Sequence, residues 1–63
     1  MRFKDKLLIV RAKLNISQTE LAKKLGVSFS TINRWESEKA KPTQKAIIRF
    51  DLFCKENNIL FEE

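Results

Sequence analysis

"ISQTELAKKLGVSFSTINRWE", residues 16–36, is the stretch that decides the fold. Ser17-Gln18-Thr19-Glu20 has the spacing of a capping box, in which the serine hydroxyl accepts from the Glu20 amide while the Glu20 carboxylate reaches back. Ile16 and Leu21 stand where a hydrophobic staple would close over that cap. Leu21, Ala22 and Leu25 then form a buried stripe, with Lys23 and Lys24 outside it on a solvated face. Gly26, the only glycine of the chain, ends this helix, because glycine enters the left-handed region without steric cost. Ser28 caps a second short helix only two residues later. At 100° per residue, Ile32, Trp35 and Glu36 fall on its inward arc, and Ser30, Arg34 and Ser37 lie opposite. Asn33 flanks that outer side, and Phe29 projects from the first turn.

The flanking sequence continues the helical spacing. Leu7, Val10, Arg11 and Leu14 lie at i, i+3, i+4 and i+7, which predicts a helix over 4–14 that ends at Asn15 in the left-handed conformation. Leu8 and Ile9 fall off that face. After the basic loop "SEKAKP" (residues 37–42), Thr43 is an N-cap for a helix from Gln44 to about Glu56. Its apolar face is broad: Ala46, Ile47, Phe50, Phe53 and Cys54, with Ile48 and Leu52 beside it. Asn57-Asn58 stops the helix, and Ile59-Leu60-Phe61 is a short apolar tail. One glycine and one proline leave little material for hairpins, and neither a repeat nor a linker divides the chain. The expectation is an all-α fold over residues 1–63 as a single domain with a small core.

Composition narrows the function. The 63 residues carry 13 Lys+Arg against 8 Asp+Glu and no histidine. The charge is unevenly placed: residues 1–49 hold 12 basic and 4 acidic residues, while residues 50–63 hold 1 and 4. A basic body with an acidic end suits a polyanionic partner as well as it suits a merely solvated surface. Cys54 is the only cysteine, so neither an intrachain disulfide nor a cysteine metal cage is available. Without histidine the usual neutral-pH acid–base and zinc chemistries are missing. The longest apolar run, Leu7–Val10, is far too short to span a membrane, and no signal-peptide pattern follows the basic start. A reducing cytoplasm, no membrane, no metal and no cofactor are expected. No base–nucleophile spacing or phosphate-cradling glycine loop argues for an enzyme, and no catalytic residues are assigned.

Two short helices joined by a tight glycine turn make a helix-turn-helix, a unit that presses its second helix into the DNA major groove while the first braces it across the backbone. In "ISQTELAKKLGVS", "TINRWE" and "KAKPT" the chain resembles the phage-repressor/Cro-type (XRE-type) helix-turn-helix family over about residues 4–43. The family's apolar core positions are met by Leu21, Leu25, Val27, Ile32 and Trp35, its close-approach position by Ala22 and its turn by Gly26. The resemblance implies a four-to-five-helix, lambda-repressor-like DNA-binding domain. It also implies a structural ion pair between Arg11 on the first helix and Glu36 at the end of the third.

For DNA, the family positions and the helical phases agree on residues 28–37 as the major-groove segment. Arg34 suits a bidentate pair to guanine or a phosphate contact, and Asn33 suits adenine. Ser30 serves base edges or backbone, and Phe29 either covers a thymine methyl or folds back over the helix start. Gln18, at the positive end of the second helix, is expected at a backbone phosphate, with Ser28, Ser37, Lys39 and Lys41. Two features depart from the family pattern. Where it has Asn-Gly after the helix-3 glutamate, this chain has Ser37-Glu38, which sets Glu38 in a turn position that favours glycine and brings negative charge near phosphates. Many members also continue into a fifth helix that supports dimerisation, whereas only "NNILFEE" follows here.

One half-site reader normally acts as two copies on a palindrome, so the expectation is a small repressor or controller of prokaryotic or phage type. It would be a homodimer, through helix 4 and the C-terminal tail, on a palindromic double-stranded operator. The tail has a second reading, as a segment folded back to close its own core. The rival function is a protein-interaction module, such as an antitoxin, whose helix 4 and tail bind a partner.

Overall fold

Phe3 sets where the first helix begins. In the computed structural model, which describes residues 1–61, α1 spans Phe3–Leu14 and starts one residue before the spacing predicts. The cause is that Phe3 is a core side chain. Its ring meets Trp35 edge-on at 5.4 Å and Phe50 at 5.0 Å, tying the start of α1 to the end of the third helix and the middle of the fourth. Leu7 and Val10 follow at full burial, and Asn15 ends α1 with φ 55.

α2 (Gln18–Leu25) and α3 (Phe29–Glu36) form as their caps dictate. Ser17 Oγ accepts from the Glu20 amide at 3.0 Å, and the Ser17 amide donates to Glu20 Oε1 at 3.1 Å, completing the capping box. The bond from the Ser17 amide, aided by the Ser17 hydroxyl, holds the Glu20 carboxyl below its ordinary range. Gly26 adopts φ 71, and its amide and that of Val27 return to the last carbonyls of α2. Ser28 then caps α3 by accepting from the Thr31 amide at 3.1 Å. α4 (Gln44–Glu56) begins on Thr43, whose hydroxyl accepts from the Ala46 amide.

α3 packs against both α1 and α2, and α4 packs on α2. The shared core is Leu7, Val10, Leu21, Ala22, Leu25, Ile32, Trp35, Phe50, Cys54 and Ile59. Burial pushes the Cys54 thiol up to about 11, so it stays a protonated apolar filler at neutral pH. Among the described residues, no helix is long and apolar enough to cross a membrane.

The tail folds back on its own core. Residues 57–61 form no fifth helix. Asn58 takes φ 56, the Ile59 amide bonds the Cys54 carbonyl at 2.8 Å, and Ile59 is buried to 5% exposure. Phe61 stacks on Phe50 at 6.3 Å, with Lys6 Nζ 5.4 Å from its ring. Leu60, between them, remains 82% exposed. The final residues of the tail, Glu62 and Glu63, lie outside the described residues.

Two stability measurements check this packing. Ile59→Ala is expected to lower the urea-unfolding free energy by about 2–4 kcal/mol, as core truncations do. Leu60→Ala should leave it nearly unchanged; equal effects would show that the tail does not close the core. Gly26→Ala combines a positive φ with a Cβ only 3.2 Å from Arg49 Nη1. It should cost roughly 1–2 kcal/mol, and an unchanged midpoint would refute the strained-turn account.

Candidate nucleic-acid interface

The outer face of α3 carries Phe29, Ser30, Asn33 and Arg34, all exposed. Ile32 and Trp35 on the opposite side are buried, so the inward anchors fix the rotation of the helix. Phe29 stays half exposed at the start of the helix instead of packing into the core, which leaves an apolar ring on the same surface as three polar side chains.

Behind this face lies a polar junction linking three helices. Glu36, at the end of α3, is only 8% exposed in its side chain, and its Oε1 accepts from two donors. One is Arg11 Nη1 of α1 at 3.2 Å; the other is Gln18 Nε2 of α2 at 2.8 Å. Asn33 Nδ2 in turn donates to Gln18 Oε1 at 3.4 Å. A chain of contacts thus runs from α1 through Glu36 and Gln18 to a side chain on the exposed face. Arg11 Nε is buried and finds no partner among the described residues, so Arg11 holds Glu36 through one nitrogen instead of a two-pronged fork.

The residues expected at phosphates fall into two groups. Lys39 and Lys41 are exposed on the turn that leaves α3, where the Lys39 and Ala40 amides both bond the Arg34 carbonyl, at 2.9 and 3.3 Å. Gln18, Ser28 and Ser37 instead have their polar atoms engaged within the protein. Gln18 is bound to Glu36 and Asn33. Ser28 Oγ serves the Thr31 amide and shares a 2.9 Å bond with the Thr31 hydroxyl, and Ser37 Oγ donates to the Asn33 carbonyl at 2.8 Å. Gln18 is half-buried, while Ser28 and Ser37 remain exposed at the two ends of α3.

Two interactions escape sequence reasoning. Gln18 to Glu36 spans two helices whose relative angle no local pattern encodes. Arg2 Nη1 meets Glu38 Oε1 at 2.8 Å across 36 positions, a separation at which spacing carries no signal. Glu38 itself is where the sequence places it: it takes φ 60, the left-handed conformation that the position demands.

A family model described as helix-turn-helix matches residues 7–54, well over half of the chain. No curated protein and no solved structure matches it. The chain belongs to the XRE-type helix-turn-helix family of DNA-binding regulators.

The junction gives a measurable expectation. Removing the partner of a fully buried charge costs about 3–5 kcal/mol; Arg11 is one-quarter exposed, so Glu36→Ala should cost roughly 2 kcal/mol in urea unfolding. Glu36→Gln, which retains a carbonyl acceptor, should lose less. Equal losses would mean that packing, and not the acceptor, supplies the stability.

Proposed function

We propose that this protein is a sequence-specific double-stranded DNA-binding regulator, a small repressor or controller whose α3 enters the major groove. The observation that carries this reading is the exposed set Phe29, Ser30, Asn33 and Arg34 on a helix that is anchored from behind by Ile32, Trp35 and Glu36. A groove-reading helix must present base-pairing groups without rotating, and buried anchors on one side with polar groups on the other meet that need.

In this reading Arg34 reads guanine by its two-pronged guanidinium, and Asn33 reads adenine with its orientation held by Gln18. Phe29 supplies an apolar contact for a thymine methyl. Lys39 and Lys41 neutralise phosphates from the turn after α3. Gln18 acts as a positioning residue through its side chain, while the positive N-terminus of α2 beside it faces the backbone. Ser28 and Ser37 fix the two ends of α3. No catalytic step belongs to this function.

The operating unit is a homodimer on a palindrome. Ile48 and Leu52 are each about half exposed, one turn apart on α4, in one stripe with Lys45, Arg49 and Glu56. Two such stripes laid antiparallel set the apolar pairs against each other and bring Lys45 toward Glu56 of the other copy, while Arg49 stays turned to the Leu25 carbonyl. Each stripe is therefore complementary to itself, as a two-fold interface requires. The same surface is what a neutralised protein partner would use under the interaction-module reading.

Unbiased selection of bound duplexes, followed by titration of selected and random duplexes over a salt series, tests the function. The expected result is a palindromic consensus, a steep salt dependence, and at least about 10³-fold preference for the selected site. Arg34→Ala should relax one or two base positions, and Lys39→Ala should weaken all sequences alike while reducing the salt slope by roughly one unit. Absence of binding to any duplex would sink the reading.

A further inference from the structure

The turn leaving α3 places a carboxylate among mostly basic residues, with Glu36 two positions before it and Asp5 close enough to act on its partner Arg2. Between Glu36 and Asp51 the sequence holds one acidic residue, Glu38, against Lys39, Lys41, Lys45 and Arg49. Glu38 is rigidly presented: φ is 60, its amide bonds the Trp35 carbonyl at 3.2 Å, and the next two amides bond the Arg34 carbonyl. Its Oε1 accepts from Arg2 Nη1 at 2.8 Å. A cleft of about 450 Å³ opens beside the pair, floored by Phe3, Trp35 and Pro42 and rimmed by Arg2, Lys4 and Lys41. The start of α1 thus stands next to the turn that carries the phosphate-binding lysines.

As a stabilising element the pair is weak. The side chains are 72% and 44% exposed, and exposed pairs contribute about 0–1 kcal/mol. Glu38 meanwhile holds a strained backbone conformation that glycine would adopt freely. A guanidinium that grips a carboxylate oxygen is equally suited to a phosphate oxygen. Near a duplex the Glu38 carboxylate is repelled by the backbone, whereas Arg2 is attracted to it.

We infer that Arg2 is a DNA-backbone contact that extends the phosphate track from Lys39 and Lys41 onto the start of α1, and that Glu38 is its internal substitute for phosphate. In the free protein Glu38 holds Arg2 beside the turn; on the duplex a phosphate takes its place. The exchange makes the acidic residue a brake on non-specific binding, because each duplex must first displace it. This inference rests on the DNA-binding reading.

Four proteins test it: the wild type, Arg2→Ala, Glu38→Gln and the double variant, each checked for helicity and melting temperature. Each is titrated with the selected duplex and with a random duplex over a salt series. Glu38→Gln is expected to tighten both complexes by about 3–10-fold, random DNA at least as much as selected. In the Glu38→Gln background, Arg2→Ala is expected to weaken binding by about 3–10-fold and to lower the salt slope by roughly one unit. If Arg2→Ala leaves both affinity and slope unchanged in that background, Arg2 serves only to neutralise Glu38, and the inference falls while the DNA reading stands. If the wild type binds no duplex at all, both fall together.

Discussion

The Glu36 carboxylate is the interaction on which the recognition surface depends. It sits at the end of α3, nearly buried, and collects a guanidinium from α1 and an amide from α2. A carboxylate in such a place has to be matched by donors, since an uncompensated charge would drive the structure to rearrange. The two donors fix where α3 lies relative to both neighbours. Because Gln18 also accepts from Asn33, the same junction orients one of the side chains offered to solvent. Stability and the proposed recognition surface share a set of four residues.

The remaining architecture supplies what that junction needs. Gly26 lets α2 and α3 meet across a turn that no other residue enters without strain. Phe3 packs on Trp35 and Phe50, so the helix that carries Arg11 is anchored at its start as well as its middle. α4 and the returning tail, through Phe50, Cys54 and Ile59, close the far side of the core.

Much of this was legible in the chain, and the reason is that helical secondary structure is written locally. Capping residues, the stop glycine and the 3.6-residue spacing act within a few positions, so Ser17, Gly26, Ser28 and Thr43 mark the boundaries at which the helices begin and end. The strained turn at Glu38 was expected only through the family resemblance, whose pattern has glycine there. What escaped depends on distance. Phe3 lies in phase with Leu7 and Val10, but its packing on Trp35 and Phe50 depends on the folded arrangement. Gln18 points inward only because Glu36 waits there, and Arg2 finds Glu38 only after the whole fold has closed. At the site, the outward face of α3 and the capping by Ser28 followed from local pattern, whereas the inward engagement of Gln18 required the packed structure.

The central claim is that the anchored outer face of α3 is the DNA-reading surface. Amide chemical shifts recorded while the protein is titrated with a duplex selected for binding test it residue by residue. The account predicts the largest changes over Phe29–Lys41 and at Gln18, with a lesser response through the interior of α1. Changes centred on the exposed face of α4, or none at saturating duplex, would contradict it.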